Sequence, residues 1–206
     1  MIDHVVVDVE IQKTIEETPG GWEATDKLGV AVACVWEYQT QRMRIYGKDD
    51  VKALQDRLLK SDRISGYNIF NFDFPVIWGI NKKAWLNNQM VANQQNVADL
   101  RKELLPKTDD MLRRIWQALG LNPDTFSKAH GGWKLDDVAG NTLGTKKIGF
   151  GGDAPKWYQA GEVLKVANYC ADDVALERDL TDFVERYGYV LGLANRVVRI
   201  PAWNPS

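Results

Sequence analysis

Apolar and polar positions change rhythm halfway along this chain. His4 to Glu10 carries Val5, Val6, Val7 and Val9, a run that predicts a central strand covered on both faces. Gly29 to Trp36 predicts a second strand and Arg42 to Tyr46 a third. Between the first two, Thr14 to Lys27 holds Pro19, Gly20 and Gly21, which predicts a loop or a wide hairpin connection. Asp49 or Asp50 can cap a helix running to about Leu59, with Val51, Leu54, Leu58 and Leu59 on one face. Arg63 to Tyr67 then predicts a short strand.

The second half has mainly helical periodicity. Phe74 to Lys83 predicts a helix after a Pro-marked start. Met111 to Leu119 predicts another, capped by Asp109 or Asp110 and stopped by Gly120. Leu135 to Leu143 predicts a shorter helix, and Gly161 to Tyr187 one or two more. Tyr189 to Trp203 alternates like strands, with Asn195-Arg196 as a turn. Asn87 to Asn96 is rich in Asn and Gln and reads as a loop or weak helix. No repeat or linker divides the chain. The expectation is one α/β domain over residues 1–206, a mixed sheet flanked by helices, with its core at 4–187 and a strand-like tail at 188–206.

Composition narrows the classes. With 206 residues, 45% hydrophobic, 26% charged and only 7 Pro beside 17 Gly, the chain is neither collagenous, low-complexity nor wholly disordered. Lys+Arg number 26 against 28 Asp+Glu, a net charge of −2, which excludes a globally basic nucleic-acid coat but not a local basic groove. Cys34 and Cys170 lack metal or redox spacing and point to a reduced compartment. His4 and His130 have no spacing that argues for zinc. The first residues carry acids where a signal peptide needs a basic region, and the apolar run Leu28 to Trp36 is too short to cross a bilayer. A cytoplasmic protein without membrane contact is expected.

The chemistry lies in the placement of a few acids. Asp8 and Glu10 are two apart in a strand and share a face. Two carboxylates beside a Val-rich core repel and lose hydration unless a cation offsets them, and a divalent metal suits carboxylate oxygen. The alternative is that both acids lie past the sheet edge in water. A second element, Gly66 to Pro75, places Asn68, Phe72 and Asp73 at a strand-to-helix turn, where Asp73 can equally be a helix cap and Asn68 a turn residue. A third, Tyr169 to Asp173, puts Tyr169 and Asp173 four apart on one helix face, which also fits a solvated amphipathic helix.

In this order the three elements resemble the motifs of the DEDD superfamily of 3′–5′ exonucleases, which have the ribonuclease H-like fold. Asp8 and Glu10 match the first motif; Asn68, Phe72 and Asp73 the second; Tyr169 and Asp173 the third. Asn168 stands where a histidine subclass carries His, so the tyrosine subclass is the match. The likeness spans about residues 4 to 187. Looser likeness from Asp110-Met-Leu through Lys134 to Ala139 and Pro155 to Trp157 resembles a bacterial branch found alone or beside helicase domains and related to polymerase proofreading domains.

The resemblance implies hydrolysis of a terminal phosphodiester of a nucleic acid with a 3′ end, single-stranded DNA favoured over RNA, by two Mg²⁺ or Mn²⁺ ions about 3.5–4 Å apart. Asp8 would bridge the ions, Glu10 and Asp173 would complete one site, and Asp73 would hold the other. Tyr169 would orient the attacking water, being a poor base at its reference pKa of about 10. A helicase or polymerase is the implied protein partner. Around this centre, Asn68 can bond backbone or substrate, and Phe72 fits either the core or a base-stacking face. Lys146, Lys147 and Phe150 lie in a Gly-rich run that reads as a phosphate cradle or as an ordinary surface loop. Lys156 and Trp157 are candidates for strand contact. A catalytically inactive binding or scaffold module is the competing expectation, though such a module would tend to lose its acids. An endonuclease is a third.

Overall fold

The computed structural model describes residues 2–87, 97–125, 131–145 and 151–205. Strand β1 (His4–Ile11) is followed by the short helix α1 (Thr25–Leu28), β2 (Val30–Glu37), β3 (Arg42–Gly47), helix α2 (Val51–Lys60) and β4 (Arg63–Gly66). Then come α3 (Asp73–Ile77), α4 (Lys82–Leu86), α5 (Val97–Leu104), β5 (Thr108–Asp110) and α6 (Met111–Ala118). The rest is α7 (Leu135–Leu143), α8 (Ala154–Gln159), the long α9 (Val163–Tyr187) and a hairpin of β6 (Tyr189–Leu191) and β7 (Val197–Arg199). The main sheet has the order β3-β2-β1-β4-β5. It is mixed: β1 and β2, and β2 and β3, are antiparallel, while β1 and β4, and β4 and β5, are parallel. The protein is therefore α/β, with a five-stranded mixed sheet flanked by helices.

The alternation along β1 sorts two cores. Val5, Val7, Val9 and Ile11 pack with Leu54 and Leu58 of α2 and with Phe70, Phe74 and Trp85. Val6 points the other way and packs with Val32, Cys34 and, on α9, Val166, Cys170 and Val174. Asp8 and Glu10 have the parity of Val6, so they belong to the α9 side of the sheet. A third cluster joins Met111 and Ile115 of α6, Leu180 and Val184 of α9, and Val190, Val198 and Ile200 of the tail. The tail thus packs as the expected hairpin, its turn formed by Ala194 (φ 54°) and Asn195 (φ 58°).

Several boundaries differ from the sequence expectation. The helix expected over Phe74 to Lys83 is two helices, because Gly79 turns the chain with φ 61° and Asn81 starts α4 afresh by accepting from Lys83 N at 3.0 Å. Asp50 stands at the start of α2, but its carboxylate accepts from Gly47 N at 3.0 Å rather than from the helix. Gly161 to Tyr187 yields one continuous helix from Val163. Beyond Asn87, the Asn/Gln-rich stretch lies outside the described residues. No helix among the described residues is long and apolar enough to cross a membrane.

Candidate metal centre

The site forms where β1 and β4 part. The parallel ladder between them ends at Val6 and Ser65. Past that point Gly66 lies against β1 so closely that a Cβ there would come 2.8 Å from Val7 O and 2.3 Å from Ile69 Cγ2. The chain then turns through Asn68 in the left-handed region (φ 65°), a conformation Asn tolerates better than most residues. The freed backbone amide of Val9 donates to Asp73 Oδ1 at 3.1 Å. Asp73 is the first residue of α3, yet its carboxylate ties that helix to β1 instead of capping it.

Asp110 fixes this turn from below. Its carboxylate accepts from Asn68 N at 2.9 Å and Phe70 N at 3.0 Å, and also caps α6 at Leu112 N (3.1 Å) and Arg113 N (3.3 Å). Burial pushes Asp110 up from its ordinary pKa; the amides of Phe70 and Asn68 and the charge of Arg113 oppose it. Sequence reasoning saw only the capping half of this role. The bonds to Asn68 and Phe70 span some forty positions and leave no local pattern.

Asp8, Glu10 and Asp173 come together: each offers a carboxylate oxygen, and those oxygens lie within 4.8 Å of one another. Glu10 and Asp173 are buried and Asp8 is half-buried. β1 supplies the first two by its period of two, and α9 crosses that face and supplies the third. Cys170 Sγ lies 3.3 Å from Asp8 O and 3.5 Å from Asp8 Oδ2, a neutral donor beside the group. Burial first, then Cys34 and the charge of Asp8, holds that thiol well above its ordinary pKa.

Asp73 stands outside the triad but faces it. It is 3% exposed, and burial pushes its pKa well above the carboxylate range. The negative charge of Asp8 pushes the same way, and the Val9 amide opposes. Asp8, Glu10 and Asp73 line one cleft of about 520 Å³ together with Asn68, Phe72 and Trp22. Phe72 is half-buried, packed on the core at one side and edge-on to Trp22 at 5.6 Å on the other.

Tyr169 is on α9 one turn before Asp173, 5% exposed, with its ring edge-on to Trp157 at 5.7 Å. Its ring packs with Val166 and Cys170, and neither Tyr169 nor Asp173 is among the residues lining the cleft. Trp157 is not among the residues lining the cleft, and Lys165 Nζ lies 4.2 Å from its ring centroid. Lys156 pairs with Asp153 at 3.2 Å on the surface. The structure does not bring Lys156 or Trp157 to the cleft wall. Lys146, Lys147 and Phe150 lie outside the described residues, as does His130.

Trp22, Tyr67 and Lys134 also line the cleft without having been singled out as its walls. Trp22 sits after Gly20 and Gly21, both with positive φ, so the signal that hid it was loop composition. His4 takes no part: it stacks on Tyr38 at 4.2 Å and shares a 2.7 Å hydrogen bond with Ser65 Oγ. Compared with models of known protein families the chain matches none, and no curated protein matches it in sequence.

Proposed function

We propose that this chain is a 3′–5′ exonuclease of the DEDD type, tyrosine subclass, on a ribonuclease H-like fold, and that it uses Mg²⁺ or Mn²⁺. The observation that carries the reading is the convergence of Asp8, Glu10 and Asp173 within 4.8 Å, with Asp73 facing Asp8 across the same cleft. The donor set is all carboxylate oxygen, which suits hard divalent cations. The order β3-β2-β1-β4-β5, with its antiparallel first three strands and parallel last two, is compatible with the ribonuclease H-like arrangement.

Divalent cations at these oxygens would supply positive charge for a phosphoryl group and lower the pKa of an attacking water. Asp8 belongs to the triad and its charge also bears on Asp73, so it is the residue that two ions would share. Glu10 and Asp173 would hold one ion and Asp73 the other. Tyr169 would hold the attacking water through its hydroxyl, while Trp157 fixes the ring edge-on. Asn68 and Phe72, on the cleft wall, would bound the terminal nucleotide. A nucleic acid with a 3′ end is the substrate, single-stranded DNA before RNA, and a helicase or polymerase is the protein partner this reading suggests.

The test is a 5′-labelled single strand, as DNA and as RNA, incubated with Mg²⁺, Mn²⁺ or EDTA. The expected result is a metal-dependent ladder shortening from the 3′ end, lost in Asp8→Asn and slowed in Tyr169→Phe with metal binding retained. Binding without cleavage in every arm would favour an inactive module, and cleavage of a circular strand an endonuclease.

A further inference from the structure

Two cysteines lie in the core beside the acid cluster, and both are 0% exposed. Cys34 stands opposite Asp8 in the ladder of β1 and β2, and Cys170 comes from α9, which packs over that face of the sheet. Both pack with Val6, Val32, Val166 and Val174. By burial alone each is a small apolar filler, the common duty of a buried thiol.

Their hydrogen bonds separate them. Cys34 Sγ lies 3.6 Å from Ala167 O, a carbonyl of α9 itself, and also hydrogen-bonds with Cys170. Cys170 Sγ lies 3.3 Å from Asp8 O and 3.5 Å from Asp8 Oδ2. Cys170 therefore reaches both the backbone and the carboxylate of one acid of the triad. Asp8 is also the least buried of the three, so it gains most from a group that fixes its direction. Cys170 follows Tyr169 and precedes Asp173 by less than one turn of α9. The same contact thus sets the height at which that helix meets β1.

We propose that Cys170 is a positioning residue of the metal centre, its thiol donating to Asp8 and holding that carboxylate toward Glu10 and Asp173. The proposal rests on the metal reading of the acid cluster and adds to it a residue that touches neither ion nor substrate. The chemistry of the donor suits the task. A thiol is a weak, neutral donor, so it orients the carboxylate and leaves the negative charge for a cation. A guanidinium in that place would cancel the charge, as Arg63 and Arg114 do at Asp109. Cys34, equally buried but bonded to α9, fills space.

The experiment is a calorimetric Mn²⁺ titration of EDTA-stripped protein without nucleic acid, with urea unfolding of each variant beside it. Cys170→Ala is expected to weaken Mn²⁺ binding about 10- to 100-fold. Cys170→Ser returns a donor and is expected to recover most of that loss. Cys34→Ala removes a thiol of equal burial from the same cluster; it is expected to lower the urea midpoint as Cys170→Ala does, yet to keep the Mn²⁺ affinity. In cleavage assays the Mn²⁺ concentration for half-maximal rate should rise in Cys170→Ala far more than kcat falls. Wild-type affinity in Cys170→Ala would overturn the proposal, as would an equal loss in Cys34→Ala or no recovery in Cys170→Ser. A wild type that binds no Mn²⁺ would overturn the metal reading and this proposal together, a pattern distinct from the other three.

Discussion

Asp73 and Asp109 are both aspartates at the end of the sheet, 3% and 1% exposed, and the protein treats them in opposite ways. Asp109 is neutralised from within. Arg63 Nε donates to it at 3.0 Å, Arg114 Nη1 at 2.7 Å and Ser65 Oγ at 2.9 Å, and Glu185 extends the network by accepting from Arg63 at 2.8 Å. Asp73 has only backbone amides, those of Val9 and of Asp73 itself, and the charges that press on it most are those of Asp8 and Asp110. A buried acid with two arginines is architecture. A buried acid whose strongest charged neighbours are other acids, at the wall of an open cleft, is what the proposed cation site requires.

The comparison can be broken by crossed substitutions. Asp73→Asn should abolish cleavage in the ladder assay while leaving the urea midpoint unchanged or higher, because it removes a charge that burial opposes. Asp109→Asn should do the reverse. It leaves Arg63 and Arg114 short of their buried partner and should cost about 3–5 kcal/mol of stability, with the metal response of the folded fraction retained. If both variants lost stability alike, the distinction between the two acids would fall.

Between them lies Gly66, where β4 ends. Gly66→Ala drives a methyl group into Val7 O and Ile69 and should cost about 1–3 kcal/mol, measured by urea unfolding. It should also slow cleavage by moving the Asn68 turn. The smallest effect belongs to His4, which hangs on the Asp109 side through Ser65. Burial first, and then Arg63, lowers its pKa from 6.5 to about 4. Between those values the unfolded chain binds more protons than the folded one. Its contribution is complete above 6.5 and is lost as pH falls toward 4. A loss of about 1–2 kcal/mol across that window, after allowance for partial exposure, should vanish in His4→Gln.

How much of this was legible in the sequence follows the range of the interactions. The period of two in β1 put Asp8 and Glu10 on one face, and the period of the helix put Tyr169 a turn from Asp173; both are local. The break of the expected helix at Gly79 needed only one residue in the left-handed region, which a run of apolar positions conceals. Strand β5 was illegible because Thr108-Asp109-Asp110 has no apolar residue; it is a strand because β4 offers it an open edge. Helix α5 shows only Val97, Leu100 and Leu104, a pattern too short to stand out beside the Asn/Gln-rich stretch. A cleft of about 560 Å³ draws Trp22, Lys82 and Trp133 from three distant segments, so no spacing could announce it. Lys156 and Trp157 read as strand contacts from their neighbours in sequence; in the fold Lys156 pairs with Asp153 and Lys165 lies over the Trp157 ring, contacts that their spacing on α8 and α9 sets.

The central claim is that Asp8, Glu10, Asp73 and Asp173 hold divalent cations. Its most direct test is a Mn²⁺ titration of wild type and of Asp8→Asn with Asp173→Asn, read by calorimetry and by thermal unfolding. Wild type should bind Mn²⁺ with saturation and gain about 2.7 kcal/mol of stability at a hundred times Kd, while the double variant should show neither. The same binding and the same stabilisation in both proteins would contradict the account.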